Sequence, residues 1–389
     1  MRRPVIAALA ALTIAGGVAA QEPMGGLAWQ VAPAVERWTF GCCTSTDSAL
    51  SVRSATEWSV PVIASVPVGG SVSLDAYVAW THATVSMRGA GSPSYTLDGF
   101  TDTRLRASVR LGGDALLATF GVNLPTGKTT LSGDELAVES VIGAPALRFE
   151  TPALGTGWGG TGGLVYTRQI GAWSYGLGAS YEYRGQYSPA EAQALGLTTG
   201  SLDLRPGQAI RLSLGAGGLV GQSAMSVSLA STLYTRDRIS VTGLATPPDA
   251  VRLGPMFTVD WRLRASSPVF RDLTVYAFDR YRMKYDRGGQ SVPGTSGNEA
   301  ELGLTGRAPL SPTLSFVAGV HGRHYTGLGV DNTIATAAGV SGGLSVGLAW
   351  SAGPLVFQPS VGGDVGRLDT GGQRLTMYRW TTALTIGAR

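Results

Sequence analysis

The residues with most chemistry to offer in this chain are arginines set two apart. Arg104, Arg106 and Arg110 lie within 101–111, with Asp102 in the same phase. Asp260, Arg262 and Arg264 lie within 256–265, and Arg280, Arg282 and Lys284 within 273–285. A strand points successive side chains to opposite faces, so a spacing of two puts each set on one face. Glu299 and Glu301 follow the same rule, and Glu182 and Asp364 share that side. Two chemistries fit such a surface. Guanidinium groups around a pore bias it toward anions; guanidinium and carboxylate groups locked in ion pairs would instead fill the interior.

Other reactive types are sparse. The histidines are His82, His321 and His324. Acyl-transfer chemistry needs a base held by an orienting group beside a nucleophile. Only His321 has the phase of the polar face, near Arg323 and Tyr325, and no His-x-Ser pair occurs. The chain is therefore expected not to be an enzyme. Cys42 and Cys43 are adjacent and the only cysteines. They provide no metal-ligand spacing, so neither a metal nor a cofactor is expected. Gly155–Gly160 spells G-x-G-x-x-G, but it precedes a strand rather than a helix. Gly127-Lys128-Thr129 lacks the glycine spacing of a phosphate loop.

The elements that must hold these residues are strands. In 256–265, Phe257, Val259, Trp261, Leu263 and Ala265 oppose the polar set; in 208–217, Ile210, Leu212, Leu214 and Ala216 oppose Arg211 and Ser213. Sixteen such segments occur from about residue 34 onward, the first being the weakest, and the breaks between them alternate short and long. Apolar-out, polar-in repetition with short turns on one side and long loops on the other marks a transmembrane β-barrel. The predicted fold is all-β: an antiparallel barrel of about 14–16 strands, with short periplasmic turns and long external loops. A charge facing lipid costs roughly 2–4 kcal/mol at midplane, which sets the arginine faces inward. Asp279 has the phase of the apolar side and breaks the pattern. Trp80, Trp173, Tyr181, Tyr183, Trp350, Tyr378 and Trp380 have lipid-side phase near strand ends, where aromatic girdles form.

The longest break is 124–158. Ser132 to Glu135, and Ser188 to Glu191, have the capping-box pattern that opens a helix. Long loops of this kind are often functional, and this one is expected to fold into the barrel mouth and narrow it.

Of 389 residues, 56 are glycine and only 14% are charged. Residues 1–20 read as a signal peptide: Arg2 and Arg3, an apolar run, then Val18-Ala19-Ala20. Residues 21–33 are a short periplasmic segment and 34–389 the barrel. Removing Arg2 and Arg3 lowers the net charge from +4 to +2, so no nucleic-acid partner is expected.

The segment Gly121-Val-Asn-Leu-Pro-Thr-Gly-Lys128, with Trp58-Ser-Val-Pro-Val62 ahead of it, resembles outer-membrane proteins of the phenol-degradation meta-pathway family, relatives of the long-chain fatty-acid transporters. The resemblance spans about the first half of the chain. It implies a barrel that passes small, often hydrophobic or aromatic compounds.

The resulting expectation is a bacterial outer-membrane channel for passive passage of small molecules, anionic or aromatic. Its wall would comprise Arg104, Arg106, Arg110, Asp260, Arg262, Arg264, Arg280, Arg282, Glu299 and Glu301. Its partners would be outer-membrane lipid, small solutes and the barrel-assembly machinery. The alternative is a non-transport barrel acting structurally, or in surface adhesion, through its external loops.

Overall fold

Two-residue alternation becomes strand along most of the chain. A computed structural model describes residues 27–41, 52–89, 91–112, 115–191, 193–195, 202–241, 249–327, 334–369 and 374–388. Residues 1–20, read from sequence as a signal peptide, and Cys42 and Cys43 lie outside the described residues.

Strand β1 has two pieces, Ala28–Val31 and Ala34–Phe40, separated at Pro33, which has no N–H to give to a ladder. Its first piece falls in the segment read from sequence as periplasmic. β2 is Val52–Val68, β3 Val72–Met87, β4 the pair Ser94–Phe100 and Thr103–Leu111, and β5 Leu116–Leu124. β6 is Gly159–Ile170, β7 Trp173–Arg184, β8 Ala209–Val220 and β9 Ser223–Tyr234. β10 is Met256–Ala265, β11 Asp272–Arg282, β12 Gly297–Pro309 and β13 Leu314–Tyr325. β14 is Ala338–Ala352, β15 Leu355–Asp369 and β16 Arg374–Ala388.

Each strand pairs antiparallel with its sequence neighbours, and β1 closes on β16 through Trp29 opposite Ala388 and Trp38 opposite Arg379. The barrel therefore has sixteen strands and no free edge, which satisfies every strand within the sheet. The outside is apolar: Leu212, Leu214, Leu302 and Leu344 are all exposed there, as are Trp58, Tyr181, Trp350 and Tyr378. No helix of the described residues is long and apolar enough to cross a membrane; the crossing is made by strands. The protein is a bacterial outer-membrane β-barrel of porin-like architecture.

Asp279 keeps its unexpected side. The β10–β11–β12 register runs without a shift and places it between Val259 and Ala300 on the outer face. His324 pairs with Ala300 in the same row, so polar groups gather on the outer face toward the long-loop end. His82 also faces outward, stacked on Trp80 at 6.4 Å.

The capping box at Ser132 opens helix α1, Gly133–Ile142. The Ser132 hydroxyl accepts from the Glu135 amide and the Glu135 carboxylate accepts from the Ser132 amide. At the second box only a 3₁₀ turn follows, Gln193–Leu195. Outside the barrel, short strands of the long loops (Leu202–Arg205, Arg236–Val241, Asp249–Arg252, Asp286–Arg287 and Gln290–Ser291) join in a separate sheet.

Candidate functional site

One row of paired residues orders the lumen. Arg262 lies opposite Tyr276, Tyr276 opposite Gly303 and Gly303 opposite His321. The row continues through Gly343, Asp364, Arg379 and Trp38. Cross-strand partners share a face. Trp38 is buried, and its indole donates to the Leu147 carbonyl of the long loop at 3.1 Å. The loop therefore lies inside, and the whole row faces inward with it.

The two sides of that interior differ. Trp38, Phe40, Val52, Ala55, Ala83, Val85, Leu97, Leu368, Leu375 and Met377, on β1–β4, β15 and β16, pack with Val138, Val141, Ile142, Leu147, Phe149 and Leu154 of the loop. These apolar wall positions have no solvent to face; the loop covers them. Burial of several large side chains at roughly 1.5–3 kcal/mol each holds the loop in. The opposite side, β6–β11, presents Gly178, Ser180, Ser213, Ser228, Asp260, Arg262 and Arg264, in register across β7–β10.

Asp102 clasps both ends of the loop. It sits in the break of β4, and its carboxylate accepts from the amides of Gly127 at 3.0 Å and Thr156 at 2.7 Å, and from Asn123 Nδ2 at 2.9 Å. Thr126 Oγ1 accepts from the Thr103 amide at 2.8 Å. A Cβ at position 127 would lie 2.7 Å from the Asp102 nitrogen and against the Leu154 carbonyl. The Asn-Leu-Pro-Thr-Gly segment singled out in the sequence is thus the loop's hinge post. Deeper in, the Thr151 amide donates to Glu57 Oε1 at 3.0 Å.

Arg148 crosses to the far wall. It pairs with Glu299 at 3.4 Å and with Glu301 on β12. Glu301 also takes Arg323 Nε at 3.2 Å and the Tyr276 hydroxyl at 2.8 Å. His321 Nε2 meets Asp364 Oδ1 at 2.6 Å; Arg379 lies 3.5 Å from Asp364 and 2.5 Å from Glu36. The network joins β1, β11–β13, β15, β16 and the loop in one charged belt.

The predicted residues divide between this belt and the open side. Glu299, Glu301 and Arg280 join the belt, with Arg280 3.3 Å from Glu299. Arg262 pairs with Asp260 at 3.0 Å, and Arg264 with Asp272 at 2.5 Å. Arg106 pairs with Asp75 at 2.9 Å, Arg104 lies over the Tyr77 ring, and Arg282 over Tyr285. Arg110 shares the face of Arg104 and Arg106 on β4. Sequence reasoning missed Glu36, Glu57, Asp75, Arg148, Asp272 and Arg379. Glu36, Glu57, Asp75 and Arg379 had the right phase in their strands, and that signal could have found them. Arg148 is in a loop with no phase to read.

No protein-family model matches the chain, and no curated protein matches its sequence. Solved structures sharing the barrel include a mutant of the TodX monoaromatic hydrocarbon channel, 9% identical with TM-score 0.49, covering 94% of this chain and 90% of that one. OprB of Pseudomonas putida is 10% identical with TM-score 0.46, covering 94% of each chain. OmpT, an outer membrane protein of Vibrio cholerae, is 10% identical with TM-score 0.40, covering 93% of this chain and 97% of that one. The likeness is one of fold.

The expectation that the chain is not an enzyme is withdrawn. A β-barrel fold of itself speaks neither for nor against catalysis. His321 has in Asp364 the kind of orienting partner that a general base needs.

Proposed function

We propose that this barrel is an outer-membrane channel through which small solutes diffuse along the basic side of a lumen half filled by its own loop. The observation that supports the reading most is exposure inside a closed barrel. The side chains of Arg262, Arg264 and Arg280 face inward, yet are 50%, 58% and 44% exposed. Water-accessible side chains on an inner wall need water beside them, and sixteen-stranded barrels are wide enough to hold it. Arg104, Arg106, Arg110, Asp260, Arg262, Arg264, Arg280, Arg282, Glu299 and Glu301 line this route in the proposal. The guanidinium groups favour anionic or polar solutes, and the charged belt around Arg148 sets the narrow point.

The finer kinship, to the phenol-degradation meta-pathway family with its small aromatic solutes, belongs to the same proposal. It is supported by the Gly121–Lys128 segment alone, which closes β5 and opens the long loop. Assembly by the barrel-assembly machinery is part of the proposal as well. The test is conductance and ion selectivity of the refolded protein in planar bilayers. Steady conductance with anion preference is the expected result. A correctly folded barrel with no conductance would overturn the reading in favour of a surface role for the external sheet.

A further inference from the structure

Glu36 and Glu57 are direct cross-strand partners on β1 and β2, both facing inward beneath the loop. Ser59 follows Glu57 on the same face and lies opposite Thr81 of β3. Thr151 of the loop closes over them, its amide bound to Glu57 Oε1. Ser59, Thr81 and Thr151 are 1%, 0% and 2% exposed, and Glu57 is 0% exposed. The hydroxyl oxygens of all three, with Glu36 Oε2 and Glu57 Oε2, have no hydrogen-bond partner. Buried hydroxyls normally find one, and each that does not costs about 1–3 kcal/mol. These five oxygens come from one continuous patch of wall and the loop above it; the Nε of Arg379, which pairs with Glu36 through Nη2, is unpartnered as well.

Charge points the same way. Arg379 is shared between Glu36 and Asp364. Among the described residues Glu57 has no ion-pair partner. Asp364 has His321 and Arg323 as further partners, so the uncompensated carboxylate of the group is Glu57. A buried carboxylate with no ion partner either takes up a proton or meets a cation.

We propose that Glu36, Glu57, Ser59, Thr81 and Thr151 form a site for a hard, oxygen-ligated divalent cation of the calcium class. Calcium takes six to eight oxygens in flexible geometry, mixing carboxylates with neutral oxygens and water. Five protein oxygens from three adjacent strands and a loop suit that habit, and no histidine or cysteine is present among these ligands to favour a softer metal. No group of three or more His, Cys, Asp or Glu gathers among the described residues. The five ligands come from four separate segments and three of them are hydroxyls, so sequence spacing carries no sign of the site. The bound ion would tie the loop at Thr151 to the barrel wall. This inference does not rest on the transport reading.

The test uses the full refolded chain in detergent, stripped with a chelator, and terbium as a luminescent calcium substitute. Trp38, two residues from Glu36 on the same face and fully buried, is the sensitiser. Saturable tryptophan-sensitised emission, displaced by calcium and lost in Trp38→Phe, is expected. Calcium should also raise the thermal unfolding midpoint of wild type and of Trp38→Phe alike. Glu57→Gln and Thr81→Val should each weaken calcium binding about tenfold or more. Thr81→Val keeps both carboxylates and nearly the same shape, so it decides the matter if Glu57→Gln fails to fold. Absence of saturable binding up to about 10 mM calcium, beyond the weak end of protein calcium sites, would overturn the proposal. So would unchanged affinity in folded Thr81→Val; the oxygens would then be water-bound.

Discussion

His321 and Asp364 stand on strands two apart and meet at 2.6 Å because Gly343, on the strand between them, has no side chain. A Cβ at position 343 would lie 2.6 Å from the Asp364 carboxyl carbon. Gly343→Ala should therefore displace Asp364 from His321 and Arg379. Forcing atoms into a packed site costs typically 1–3 kcal/mol. Denaturant unfolding of the refolded barrel should show a loss of about that size, and an unchanged midpoint would count against this geometry.

Arg148 is the one long-loop cation that reaches β12, through Glu299 and Glu301. Arg148→Ala should free the loop's inner end while its apolar face stays packed. Single-channel recordings should show larger and noisier conductance. Removing 132–142, which carries the apolar face of α1, should raise conductance further. Unchanged conductance in both variants would mean that the loop does not set the narrow point.

Asp102 holds the loop's two ends by charge-assisted hydrogen bonds to Gly127 and Thr156. Asp102→Ala leaves both amides without that acceptor. Hydrogen bonds to a charged group contribute roughly 1.5–3 kcal/mol each. Limited proteolysis should then cut the 125–158 segment in the variant under conditions where wild type resists, while the barrel persists.

Arg262 and Arg264 should tune selectivity without carrying the fold. A unit charge about 6 Å from a solute in water interacts by roughly 0.7 kcal/mol, or about threefold in anion preference per arginine. Salt shortens this reach to about 8–10 Å at ordinary ionic strength. Replacing both with alanine should lower the anion-to-cation permeability ratio, most strongly in dilute salt. A ratio that does not move would place the permeation route elsewhere.

Glu139 on α1 gives the loop a pH dependence. Burial holds its carboxyl above the ordinary carboxylate range. A carboxyl whose folded pKa is raised favours the docked loop fully below the unfolded value, near 4.3, and loses that contribution as pH rises through the folded one. Protection of the 133–142 amides, taken relative to their intrinsic exchange rates, should therefore be greatest in acid and fall toward neutrality. Glu139→Gln should flatten the profile, and a profile unchanged in that variant would assign the effect to another group.

Periodicity in the sequence determined the barrel. Alternation of apolar and polar residues fixes which side of each strand meets lipid, because strand geometry has period two and the membrane has no water to satisfy a mistake. That is why Arg104, Arg262, Arg280, Glu299 and Glu301 could be set inward from spacing alone, and why the capping box at Ser132 announced α1. Tertiary structure alone decided what fills the lumen. The Arg148–Glu301 pair joins residues 153 positions apart, and Glu36, Glu57 and Arg379 meet only because the first strand closes on the last. Such contacts have no local periodicity. They depend on strand register and on the path of a loop, and both are set by packing in three dimensions.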